Sequence, residues 1–288
     1  MRRALIIGGT GQIGRAIAGD LLGRGWQVML AGRGQRPLPV DLTRRGASFV
    51  ELDRDKRGAL RRAVAGGVDA VVDTIAFTKA HARQLLEIEN DVGAFVVISS
   101  ASIYCDDQGR TLDEAAETGF PVFNGPVGES QRTVPPGSKT YSQQKVSMER
   151  QLLDYSQRPV CILRPAAVHG LWSTHPREWW FVKRMIDGRS HIPLAHAGHS
   201  RLHTSAVENI GALCAHVLEA PTTQILNIAD PTAPTAAEIG RLIADRVGFE
   251  GEFVPFEGMA ATAPTVGMTP WSIPEPVVLD TKAAGATG

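Results

Sequence analysis

Ala4-Leu5-Ile6-Ile7-Gly8-Gly9-Thr10-Gly11-Gln12-Ile13-Gly14 joins a short apolar run to a glycine-rich turn, and Gln12 to Gly23 then carries Ile13, Ile17, Leu21 and Leu22 on one helical face. Buried strand, tight turn and amphipathic helix, in that order, open a βαβ unit. The pattern continues outward. Val28-Met-Leu30, Ser48-Phe-Val50, Ala70-Val-Val72, Phe95-Val-Val-Ile98 and Val160-Cys-Ile-Leu163 read as strands. Helical stretches lie near Lys56 to Val64, from Lys79 to Glu89, and from Tyr141 to about Tyr155. Short connections between such elements require parallel strands, and continuous apolar strands fit a sheet covered on both faces. The expected fold is α/β, a doubly wound parallel sheet.

After Arg164-Pro165 the character changes. Residues 166–200 are rich in His, Trp and Pro, with one helix expected over Arg177 to Ile186. Helix Ala206 to Leu218 and strand Ile225-Leu-Asn-Ile228 bring the chain back to the sheet, and helix Ala236 to Val247 follows. The expected division is 1–165 with a return at about 201–229 for the sheet domain, and 166–200 with 230–288 for a small C-terminal substrate-binding lobe. Gly119 to Gly137, punctuated by Pro and Gly, is too long for a bare connector and is expected to be a functional loop.

Thirty basic and 30 acidic residues among 288 give zero formal charge, which lacks the electrostatic footprint of a nucleic-acid binder. The basic residues of Arg44-Arg45 and Arg54 to Arg62 alternate with acids and read as a solvated face. Cys105, Cys161 and Cys214 have no C-x-x-C spacing, as expected of reduced thiols in a cytoplasmic protein. No apolar run reaches the ~18 residues of a membrane span. His191, His196, His199 and His203 crowd one stretch, but without H-x-x-x-H on a helix no metal is expected.

Gly8, Gly11 and Gly14 fit G-x-x-G-x-x-G at a strand-to-helix turn, where backbone N–H groups at the helix N-terminus bind a diphosphate. The candidate residues of this turn are Gly8, Thr10, Gly11, Gln12, Ile13 and Gly14. A dinucleotide is expected. At the end of the second strand, Val28-Met-Leu-Ala-Gly32-Arg33-Gly-Gln-Arg36 lacks the acid that accepts a ribose 2′-hydroxyl and offers a guanidinium instead. NADP is therefore expected ahead of NAD, with Arg33 on the 2′-phosphate and Asp53, after the third strand, on the adenine amino group.

Tyr141 and Lys145, four residues apart, share one helix face, and an ammonium there favours phenolate. Strand Phe95 to Ile98 runs into Ser99-Ser100-Ala-Ser102-Ile-Tyr104, and strand C-termini are where doubly wound sheets place ligands.

With these residues the sequence resembles the short-chain dehydrogenase/reductase superfamily, in its extended, NAD(P)-dependent epimerase/dehydratase-like branch. Gly8 to Gly14, Val97-Ile-Ser-Ser-Ala-Ser-Ile-Tyr104, Tyr141 with Lys145, Leu163-Arg-Pro-Ala-Ala-Val-His-Gly170, Arg201-Leu-His-Thr-Ser-Ala-Val207 and Asn227-Ile-Ala-Asp230 carry the likeness. The resemblance implies a Rossmann-type fold and a catalytic set of Ser100, Tyr141 and Lys145. In that set Tyr141 moves a proton at the reacting oxygen, Lys145 lowers its pKa and holds the ribose, and Ser100 steadies the oxygen. It further implies Thr74, Ile75 and Ala76 beside the adenosine ribose, Pro165 and Val168 beside the nicotinamide, and Ser102, His169, Trp172 and Arg201 toward substrate. Trp172, Trp179 and Trp180 either stack on the substrate or pack the lobe. Helices Lys79 to Glu89 and Tyr141 to Tyr155 would form the superfamily's homodimer bundle.

Departures narrow the expectation. Ala101 and Ser102 stand where a sugar 4,6-dehydratase has Asp and Glu, and Ala167 replaces the Asn of R-P-x-N. Asp280-Thr-Lys282 resembles a late segment of the branch, and the chain stops six residues on, so a shortened C-terminus is expected. The reading is an NADP-dependent oxidoreductase acting on a small-molecule carbonyl or alcohol. The alternatives are a nucleotide-sugar epimerase with tightly bound NAD, and a non-catalytic dinucleotide sensor.

Overall fold

The computed structural model describes residues 1–260 and 263–287; residues 261, 262 and 288, within the expected 230–288 span, lie outside it. The strands are β1 (Arg3–Ile7), β2 (Gln27–Gly32), β3 (Ser48–Glu51), β4 (Val68–Asp73), β5 (Val92–Ile98), β6 (Val160–Pro165), β7 (Ala167–His169), β8 (His191–Leu194), β9 (Thr204–Ala206), β10 (Gln224–Ile228) and β11 (Glu252–Pro255). The helices are α1 (Gln12–Gly23), α2 (Val40–Arg44), α3 (Ala59–Ala63), α4 (Lys79–Leu86), α5 (Ala115–Thr118), α6 (Tyr141–Tyr155), α7 (Trp179–Ile186), α8 (Val207–Val217), α9 (Ala236–Val247) and α10 (Lys282–Gly285).

Seven strands form one parallel sheet in the order β3-β2-β1-β4-β5-β6-β10. The order of strand addition reverses between β1 and β4, which opens a crevice at their C-terminal ends. The strand side chains alternate between two cores. Ala4, Ile6, Val72, Val96 and Leu163 face Ile17 and Leu21 of α1 and Ile210 and Cys214 of α8. Leu5, Ile7, Val71, Val97 and Ile162 face Ala82 and Leu85 of α4 and Met148 and Leu152 of α6. The strands are apolar throughout because both faces are buried, the doubly wound arrangement expected.

A third core joins α7, β8 and α9 through Phe181, Met185, Ile192, Leu194, Ile239 and Trp271. Here the structure adds what periodicity did not show. The single helix expected in 166–200 is accompanied by β7, which pairs with β9, and β8, which pairs with β11. These strands are three or four residues long and β8 contains Pro193, so they carry no alternation signal. Segment 119–137 is tied down: Val127 N–H donates to Val278 O at 2.8 Å, and Asp280 N–H donates to Val127 O at 2.9 Å. No helix among the described residues is long and apolar enough to cross a membrane.

Candidate active site

The crevice at the β1/β4 reversal is a groove of about 500 Å³. Gly8, with φ of +81°, turns the chain out of β1, and a Cβ there would lie 2.4 Å from Thr74 Oγ1. Gly14 brings α1 against that turn, where a Cβ would lie 2.5 Å from Gly8 O. Gly11 is the N-cap of α1 and supplies no side-chain acceptor, so the first N–H groups of the helix face the groove uncapped. With the groove lined also by Thr10, Gln12 and Ile13, this is a cradle that fits a dinucleotide diphosphate. Gln12 also ties the turn to the loop after β7, its amide donating to Gly170 O at 3.1 Å.

Arg33, Arg36, Asp53, Thr74, Ile75 and Val168 line the same groove. Arg36 Nη1 reaches to 3.4 Å from where a Cβ on Gly11 would sit, so a second guanidinium overhangs the turn. Arg54 departs from the solvated face expected of it. It is 9% exposed and bonds Asp73 Oδ2 at 2.8 Å, Gln84 Oε1 at 2.9 Å and His81 O at 3.3 Å. Charge alternation showed exposed neighbours but carried no sign that Asp73, at the end of β4, lies within reach. His81 also lines the groove; its Nδ1 accepts from Phe77 N–H, and burial holds its pKa down, so the ring is neutral.

The catalytic candidates meet where β5 ends. Ser100 Oγ accepts from Ser102 N–H at 3.1 Å and donates to Ser102 Oγ at 3.0 Å, while neighbouring Ser99 is buried. Thr140 caps α6 by accepting from Gln143 N–H, which starts the helix at Tyr141. Tyr141 stands beside Ser100 and Phe77, its ring centroid 5.3 Å from that of Phe77. Lys145 Nζ is 5.8 Å from the centre of the Tyr141 ring and donates to Ala76 O at 2.7 Å and Ile98 O at 2.9 Å.

The electrostatics correct one expectation. Burial pushes the Tyr141 phenol above its ordinary value, with the Ser100 hydroxyl opposing and the Asp113 charge adding. Lys145 was expected to favour phenolate, but its ammonium is turned to two carbonyls, and burial brings its own pKa down to about 8. As the structure stands, Tyr141 keeps its proton at neutral pH and is an acid.

Ser100 and Ser102 also line a separate cleft of about 330 Å³ that reaches Pro165, Ala167, Leu202, Ser272 and Leu279. Two charged residues line it, Asp113 and Arg177. Neither stood out in the sequence, since one lies in an irregular loop and the other entered only as a helix start.

The remaining candidates toward substrate lie elsewhere. Arg201 donates to Ala233 O beside α9. Trp172, at a φ of +61°, faces Arg15 of α1, the guanidinium 5.7 Å from its ring. His169 Nε2 binds Asp230 Oδ2 at 2.7 Å and its Nδ1 lies 3.5 Å from Glu178 Oε1, which together push its pKa up to about 9. Trp180 packs in the third core under Arg184, and Trp179 is exposed.

The family model described as NAD dependent epimerase/dehydratase family matches residues 4–229. No curated protein matches the chain significantly. Among solved structures, UDP-glucose 4-epimerase from Thermotoga maritima, crystallised with UDP-glucose, aligns over 99% of this chain and 91% of its own, with a TM-score of 0.72 and 18% identity. A dTDP-glucose 4,6-dehydratase from Bacillus anthracis in complex with NAD aligns over 100% and 90%, with a TM-score of 0.73 and 16% identity. The Bordetella bronchiseptica enzyme WbmG, in complex with NAD, aligns over 99% and 87%, with a TM-score of 0.72 and 20% identity. At such identities the likeness is one of fold.

Proposed function

The chain belongs to the NAD dependent epimerase/dehydratase family, and from that premise we propose an NADP-preferring oxidoreductase that acts on a carbonyl or alcohol of a small molecule through Ser100, Tyr141 and Lys145. The observation that carries this reading is the meeting of Ser100 and Tyr141 at the end of β5, with the dinucleotide groove and the 330 Å³ cleft both opening at the C-terminal edge of the sheet. When bound, the nicotinamide exchanges a hydride with the substrate carbon. The chain's own groups handle the oxygen. Tyr141, protonated at neutral pH, gives its proton to a carbonyl oxygen as negative charge develops there, and takes it back in the oxidative direction. Ser100 donates a hydrogen bond to the same oxygen. Lys145, seated on Ala76 O and Ile98 O one helix turn from Tyr141, would hold the cofactor ribose.

The cleft volume is near the lower end of the roughly 300–1,000 Å³ range of small-ligand pockets. With Ala167 in its wall and Arg201 turned to Ala233 O, it suits a small substrate better than a nucleotide sugar. Arg33 and Arg36 in the groove, with no acid at the end of β2, support NADP.

The test is a fluorescence titration with NADPH and NADH against the protein and Arg33→Ala. The expected result is NADPH preference that falls roughly 10- to 100-fold in the variant, the worth of one charge-assisted hydrogen bond to phosphate. Equal affinity in both proteins would sink the NADP reading. NAD that copurifies and does not exchange would favour the epimerase instead.

A further inference from the structure

Arg177 is a charge of the cleft with little compensation. It precedes α7, is half-buried, and lines the cleft that holds Ser100 and Ser102. Among the described residues its one side-chain hydrogen bond runs from Nη1 to Pro270 O at 3.2 Å, and it makes no ion pair. A guanidinium carries five donors, and burying it without an anion is costly. The nearest acid in sequence, Glu178, is drawn away to His169 on β7. The other charged residue of the cleft, Asp113, makes no ion pair with Arg177. Burial correspondingly disfavours the charged form of Arg177, with Glu178 opposing only in part. Around it the wall is largely apolar, with Leu112, Phe120, Pro165, Leu202 and Ile273, where a charged group governs which ligand enters.

We propose that Arg177 determines specificity by binding a carboxylate or similar small oxyanion on the substrate, making the substrate of this enzyme an oxo acid (in the reverse direction, a hydroxy acid) rather than a neutral ketone. A planar carboxylate matches the guanidinium fork. The carbonyl end of the same molecule then meets Ser100 and Tyr141. For its chemistry the proposal rests on the oxidoreductase reading; for binding it stands on the cleft alone.

The experiment compares benzoylformate with its methyl ester, which differ by one charge, as substrates for NADPH oxidation. The protein, Arg177→Gln and Arg177→Lys are assayed together, with NADPH affinity as the check on folding. The acid is expected to exceed the ester by at least about 10-fold in kcat/KM. Arg177→Gln should erase that advantage through KM, the acid losing far more than the ester, and Arg177→Lys should restore part of it. Equal use of acid and ester by the unaltered protein, or a parallel loss of both in Arg177→Gln, overturns the proposal. If neither is turned over, calorimetry of benzoylformate with the NADPH-loaded protein separates the two ideas. Binding that Arg177→Gln abolishes supports the anion site while the oxidoreductase reading fails. Absence of binding to the unaltered protein overturns the anion site.

Discussion

At the scale of single residues, Tyr141 and Lys145 divide the work differently from their spacing. One helix turn sets them on a common face, but the carbonyls of Ala76 and Ile98 capture the ammonium, leaving burial in control of the phenol. Tyr141→Phe removes the proton and little else, because among the described residues Ser100 is the one side chain that meets that hydroxyl. Turnover is expected to fall about 10²-fold or more with NADPH affinity unchanged. Ser100→Ala, which deletes a donor to the developing charge, is expected to cost about 10²- to 10³-fold. Steady-state kinetics beside a cofactor titration checks both, and a matching loss of cofactor affinity would mean that these side chains support the groove rather than the chemistry.

At the scale of elements, the β1–α1 junction was the most legible part of the molecule, since both its glycine spacing and its apolar periodicity follow from backbone geometry. Gly14 shows why. The helix closes on the turn so tightly that a methyl group would stand 2.5 Å from Gly8 O and 2.7 Å from Gly9 Cα. Gly14→Ala is expected to destabilise by about 1–3 kcal/mol, the usual range for overpacking. It should also weaken cofactor binding by moving the free N–H groups at the start of α1. A urea unfolding curve and a cofactor titration measure the two effects, and an unchanged unfolding midpoint would refute the close approach. By contrast, β7, β8, β9 and β11 were illegible, because pairing partners up to 61 residues apart (His191 with Glu252) decide them, not local alternation. Arg54 failed for the same reason: a charge in a charged stretch looks exposed until its buried partner, Asp73, is known.

At the scale of the whole molecule, motifs located the reacting residues, but the cleft that would choose a substrate is assembled from Arg177, Asp113, Pro270 and Ser272, four residues in three irregular segments. Only their convergence in space gives them meaning. His169 was legible by position yet not by role, since its two carboxylates lie on opposite sides of the molecule's main seam. Asp230 follows β10 of the large sheet and also accepts from Thr204 Oγ1, Ala206 N–H and Asn209 Nδ2, whereas Glu178 immediately precedes α7. An imidazolium between them fastens the smaller body to the sheet. Its pKa in the fold is about 9, raised from 6.5 chiefly by the Asp230 hydrogen bond and then by Glu178. Because the folded value lies above the unfolded one, the stabilisation is complete below pH 6.5 and is lost as pH rises through 9. The shift sets a ceiling of about 3 kcal/mol, which water at the one-third-exposed Glu178 reduces. Lys145, whose pKa is depressed, contributes a slope of opposite sign above pH 8. The difference between the protein and His169→Gln isolates the histidine: urea midpoints should converge between pH 6.5 and 9 and differ most at the acid end. Parallel curves across that range would show that His169 is neutral in the fold and adds no charge–charge fastening between the two bodies.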